Sequence, residues 1–127
     1  MMRKKICFLS LAFVVVIALY SCRKDKTAIP TPVNCTGILD TVNTWNNNIN
    51  PNIIGLYCAY APCHGGGSAQ FGVDLSSYGG TVTAFQSQNL LCAVKGAGCI
   101  LMPNGGRPLD TTLIRQLECW QANGFPQ

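Results

Sequence analysis

Cys58-Ala59-Tyr60-Ala61-Pro62-Cys63-His64 is the stretch around which the rest of this 127-residue chain has to be read. Two thiols five positions apart, the second joined directly to an imidazole, form a ligand set that core packing does not require. His64 is the only histidine in the sequence, and Met102 is the only methionine after Met1 and Met2. Met102 lies 38 residues beyond His64, in an irregular Leu101-Met102-Pro103-Asn104-Gly105-Gly106 loop. A lone methionine is ordinarily core filler. In a chain that also carries a Cys-His pair, it becomes a candidate thioether ligand.

Covalent haem c attachment needs such a set. Two thiols reach two vinyl groups on one edge of the porphyrin, and the next residue, a histidine, meets the iron; the usual spacing is C-x-x-C-H. Here four residues separate the cysteines. A longer spacer can bulge outward while Cys63-His64 keeps its geometry. An iron held by imidazole and thioether takes one of each, and a ligand on the Met102 loop, stiffened by Pro103, can reach the opposite haem face. Two other readings compete. Cys58, Cys63 and His64 with Cys92 or Cys99 supply enough ligands for zinc, but adjacent Cys63 and His64 do not easily share one tetrahedron. The main rival is a haem-free, disulfide-stapled binding module in which Cys58–Cys63 is a third bridge.

The N-terminus bears on the redox compartment. Arg3, Lys4 and Lys5 precede an apolar run from Ile6 to Tyr20, too short for a membrane span of about 20 residues and patterned like a secretory signal. Leu19-Tyr20-Ser21-Cys22 resembles a bacterial lipobox, which implies cleavage before Cys22 and lipid on its sulfur. The expected organisation is a signal peptide over 1–21, a flexible tether over 22–34 and one folded domain over 35–127. The tether assignment rests on Pro30 and Pro32, which cannot sustain a helix. Export fits the eight cysteines, a density that implies cross-links or a cofactor in an oxidising compartment.

The net charge of +4 is concentrated in the tether and signal. From Cys35 onward, Lys95, Arg107 and Arg115 face Asp40, Asp74, Asp110 and Glu118, so the domain is near neutral. That excludes nucleic acid as a partner, which calls for a basic face. With one histidine and no closely spaced carboxylate pair, no hydrolase reading survives, and no enzyme activity is expected. Asp74 reads as a turn former.

Helical signals dominate. Trp45, Ile49, Ile53 and Leu56 share a face of a helix expected over about 41–57, kinked or split at Asn50-Pro51. A weak helix is expected over 81–85 and another over 89–95, capped by Ser87 or Asn89 and ended by Gly96. The clearest begins after the Asp110 cap, presents Leu113, Leu117 and Trp120, and stops at Asn123-Gly124. Strand alternation is scarce. The expected fold is mostly α: three to five short helices with long loops, which are unusual in a compact domain unless they wrap something.

The order of these features is a helix running into Cys…Cys-His, a Gly-rich turn, Leu75-Ser76-Ser77-Tyr78, Met102-Pro103 and a final helix with an aromatic. It resembles the small monohaem cytochrome c domains of bacterial lipoproteins, over roughly residues 45–125. The resemblance implies one haem c, thioethers at Cys58 and Cys63, His64 and Met102 as iron ligands, and Trp120 packed near the haem. It further implies single-electron exchange with redox partner proteins. The additional Cys35, Cys92, Cys99 and Cys119 allow three pairings. Cys92 with Cys99 and Cys35 with Cys119 is the favoured one.

Overall fold

Trp45 opens the first helix, whose winding differs from the expected one. In the computed structural model, which describes residues 32–67 and 69–127, Trp45–Ile54 is a π-helix that continues into a short α-helical turn, Gly55–Tyr57. Together these form α1. The Thr44 hydroxyl caps it by accepting from the Asn47 amide. The Ile49 amide donates to the Thr44 carbonyl and the Gly55 amide to the Asn50 carbonyl, each five residues back. This register widens the turn beyond the 3.6 residues of an α-helix. Pro51 lies inside it; in α winding its ring would strike the carbonyl four residues earlier. A change of winding thus stands where a kink or break was expected.

The slower winding also moves the buried face. Trp45, Ile49, Ile53 and Ile54 are buried and the stripe continues to Cys58, whereas Leu56, expected on that face, is 63% exposed.

Among the described residues the other helices are α2 (Tyr78–Ser87), α3 (Leu90–Lys95) and α4 (Thr111–Ala122), with a 3₁₀ turn at Gln70–Gly72. No strand occurs among the described residues. The mostly α reading therefore holds, and no helix among the described residues is long and apolar enough to cross a membrane. The Ser77 hydroxyl caps α2 by accepting from the Gly80 amide, so that helix starts three residues before the expected position. Asn89 occupies the cap position of α3 in the left-handed conformation without a side-chain capping bond, and Gly96 ends the helix at φ +63°. The Asp110 carboxylate caps α4 by accepting from the Thr112 amide at 2.8 Å. That bond to Thr112 holds the Asp110 carboxyl below its ordinary pKa.

Five aromatic rings join the helices. Trp120 of α4 is fully buried, stacked on Trp45 at 6.0 Å and edge-on to Phe85 at 5.5 Å and Phe125 at 4.9 Å. Tyr78 meets both tryptophans edge-on. No buried side-chain nitrogen or oxygen among the described residues lacks a partner.

The N-terminal segment of the domain is fastened to α4. Cys35 is bonded to Cys119, 84 residues away, and Cys92 to Cys99. Both links match the favoured pairing. Arg115 donates to the carbonyls of Asn34 and Thr36, and Asn43 donates to the Gln116 carbonyl at 2.9 Å. Asn34, expected in the tether, is thus held by the domain.

Breaking the long link with Cys35→Ala should lower the unfolding free energy by about 3–4 kcal/mol, because the unfolded chain regains the freedom of a large loop. Cys99→Ala opens a link of only seven residues and should cost less, about 2 kcal/mol. Urea titrations followed by tryptophan fluorescence measure the order. Equal losses would mean that loop closure is not what the long link contributes.

Candidate functional site

The end of α1 delivers Cys58 to a cleft. The Ile54 carbonyl accepts from both the Cys58 amide (2.9 Å) and the Ala59 amide (2.7 Å), finishing the helix in its wide register. The chain then closes on itself. Cys63 donates its amide to the Tyr60 carbonyl at 2.8 Å, and His64 donates to the Cys58 carbonyl at 3.2 Å. The four-residue spacer is therefore a compact loop whose ends are tied by a hydrogen bond. Gly65 is required beside it, since a Cβ there would collide with the Ala59 carbonyl.

His64 is oriented by its surroundings. Its Nδ1 lies 2.9 Å from the Val73 carbonyl oxygen. A carbonyl only accepts, so Nδ1 carries a proton, which in the neutral imidazole leaves the lone pair on Nε2. Metal-binding histidines are commonly held this way, with the non-ligating N–H fixed by a backbone carbonyl. The His64 carbonyl in turn accepts from the Leu75 amide at 2.8 Å. The turn before Ser76 is set by Asp74, whose Oδ1 accepts from the Ser76 hydroxyl and amide; these bonds hold the Asp74 carboxyl below its usual pKa.

Met102 reaches the same cleft from the far side of the sequence. Its amide donates to the Ala93 carbonyl at 3.1 Å, and the Leu109 amide donates to Val94 at 3.2 Å. The Cys92–Cys99 link shortens the path between α3 and Leu101-Met102. The loop is thus fastened to α3 at three places.

Cys58, Cys63, His64 and Met102 together line a cleft of about 280 Å³, just below the range usual for small-molecule sites, roughly 300–1,000 Å³. Leu75, Leu90 and Val94 of the core contribute to its lining, and no lining residue carries a formal charge. Tyr57, just before the motif, and Tyr60, within its spacer, also line it. Trp120 does not; it stays in the aromatic cluster, sharing one core with Leu75, Leu90 and Val94. Cys22 lies outside the described residues. Sequence reasoning missed Phe71, which lines the cleft at φ +56° with 90% of its surface exposed. A large exposed aromatic in a left-handed conformation is uncommon, but only the backbone reveals it.

Cys58 and Cys63 are free thiols. Burial, reinforced by the neighbouring Cys63, pushes the Cys58 thiol up to about 11. The Tyr60 hydroxyl is raised above its ordinary value, chiefly by hydrogen bonding to Cys63. No three His, Cys, Asp or Glu side chains among the described residues are grouped to hold an ion. Zinc also loses its fourth ligand, because Cys92 and Cys99 are bonded to each other. The donor chemistry fits haem c better: two thiols, an imidazole whose Nδ1 is held by a carbonyl, and a thioether in one largely apolar cleft.

The two thiols should react unequally. Thiolate is the nucleophile, so in protein made without haem c maturation iodoacetamide at pH 8 under non-reducing conditions should modify Cys63 at least about tenfold faster than Cys58. Raising the pH towards 11 should narrow the gap as Cys58 ionises. Equal rates at pH 8, measured by peptide mass spectrometry, would contradict the burial of Cys58.

The chain matches no known family model, and no curated protein or solved structure is significantly similar to it.

Proposed function

We propose that this protein is an exported, lipid-anchored carrier of one covalently attached haem c that transfers single electrons. The observation that carries the reading is the meeting in one uncharged cleft of two free thiols, an oriented imidazole and a thioether from 38 residues away. Cys58 and Cys63 would hold the porphyrin edge as thioethers. His64 Nε2 would be one iron ligand and the Met102 sulfur the other. When bound, the haem supplies a one-electron iron couple.

The protein's own part is positioning and polarity. The Val73 carbonyl fixes the imidazole tautomer, and the links to α3 fix the Met102 loop. Leu75, Leu90 and Val94 give the cleft apolar walls that keep water away, and Trp120 supports those walls from the core behind them. With His64 and Met102 both holding the iron, the group would supply outer-sphere electron transfer to redox partner proteins rather than catalysis. The two disulfides suit an oxidising compartment, and Cys22 would supply the membrane anchor. In the rival haem-free module, Cys58 and Cys63 would form a third bridge; they stand as free thiols, which lends that reading no support.

Protein made in cells with haem c maturation should carry the mass of one haem. Cys63→Ala should abolish the adduct, because it removes the thiol beside the ligand, while Cys58→Ala should leave a single-thioether product. A wild-type protein without any adduct overturns the proposal.

Met102→Ala should remove the thioether that would hold the iron. A thioether favours ferrous iron, so the reduction potential should fall, and carbon monoxide should bind faster. If the wild type already binds carbon monoxide readily and the substitution changes nothing, Met102 is packing only and the electron-carrier reading fails.

A further inference from the structure

Val33, Leu39 and Val42 stand in solvent at 39%, 67% and 55% exposure. Single exposed aliphatics are ordinary, but these belong to one short segment that is held as a unit. Cys35 is bonded to Cys119, Arg115 binds the Asn34 carbonyl at 2.8 Å and also the Thr36 carbonyl, and Asn43 binds the Gln116 carbonyl. The segment is therefore fastened to α4, with these aliphatic side chains exposed among Asn34, Thr36, Asp40 and Thr41. Ile38, Leu39 and Val42 line a groove of about 220 Å³ there, with Asn48 and Gln116.

Its place in the chain says what covers it. Pro32, the first described residue, comes ten positions after Cys22. Even fully extended at about 3.5 Å per residue, that connection reaches only about 35 Å. Arg23, Lys24 and Lys26 lie within it, and basic residues of this kind are drawn to anionic headgroups. The described segment closest in sequence to Cys22 thus leaves three aliphatic side chains unburied.

We propose that the Val33–Val42 edge lies on the lipid surface, so that the anchored domain has a fixed orientation. This rests on the lipid attachment at Cys22 in the reading above. Tethering makes the contact intramolecular and raises its effective concentration to the millimolar range, so a face too weak to bind vesicles by itself still settles on the bilayer to which it is tied. Asp40 is the one acid on the segment, and its carboxylate accepts from Asn123 Nδ2 at 2.6 Å.

The test is hydrogen exchange of the matured full chain in vesicles of phosphatidylcholine and phosphatidylglycerol in equal parts, with the Cys22→Ser protein in buffer as reference. Amides of residues 33–43 should exchange at least about threefold more slowly in vesicles, and those of residues 78–87 should not change. The exposed double variant Leu39→Asp/Val42→Asp, still acylated and with wild-type tryptophan fluorescence, should return to the reference rate. If acylated wild type exchanges at the reference rate, the orientation is overturned while the anchor stands. If intact mass shows no acyl chain, the anchor itself fails and the inference falls with it. Slowing that grows with concentration in the Cys22→Ser protein without lipid would assign the edge to a second copy of this chain instead.

Discussion

The carbonyl of Pro126 is the point on which the domain closes. It accepts from the Trp120 indole at 2.9 Å and from the Trp45 amide at 2.9 Å. One residue earlier, the Phe125 carbonyl accepts from the Tyr78 hydroxyl at 2.7 Å. A fully buried indole has to find an acceptor, or its desolvation goes uncompensated. The C-terminal tail supplies that acceptor and, in doing so, binds the start of α1 and the start of α2 to α4. Three helices that share little sequence-local contact are thereby arranged around one ring, with Trp45, Phe85 and Phe125 packed against it.

The cleft is a consequence of that core. Leu75, Leu90 and Val94 belong both to the packed interior and to the cleft lining. The chemically distinctive side chains sit instead on connections between helices, which is where a rigid scaffold ordinarily presents them. Each connection is restrained at close range. The 58–64 loop is closed by the His64 amide on the Cys58 carbonyl, and the 96–109 connection is held by the Cys92–Cys99 link and two amide bonds to α3. A domain with short helices and long connections would otherwise lose the ordering of those loops to chain entropy.

Much of this was legible beforehand where the signal is local. The α4 cap at Asp110, the stop at Gly96 and the candidate ligands Cys58, Cys63, His64 and Met102 follow from residue type and spacing. The extent of α2 was not, because Gly79 and Gly80 depress helix propensity and the Ser77 cap carries no apolar periodicity. Leu56 was misplaced because the template assumed 3.6 residues per turn. A run containing Asn46, Asn47, Asn48 and Pro51 has little intrinsic preference for α winding, so tertiary packing of Trp45, Ile49, Ile53 and Ile54 sets its register instead.

The sequence by itself determined the chemical inventory: one histidine, one methionine past the N-terminus, a spaced thiol pair, and a neutral domain of helical segments. These depend only on composition and on interactions within a few residues. The tertiary structure alone decided that Met102 joins His64 in one cleft, that Trp120 belongs to the core rather than the cleft lining, that the His64 tautomer is set by Val73, and that α1 winds widely enough to deliver Cys58. Each of these depends on burial and hydrogen bonds between residues distant along the chain, and such contacts have no local signature to read.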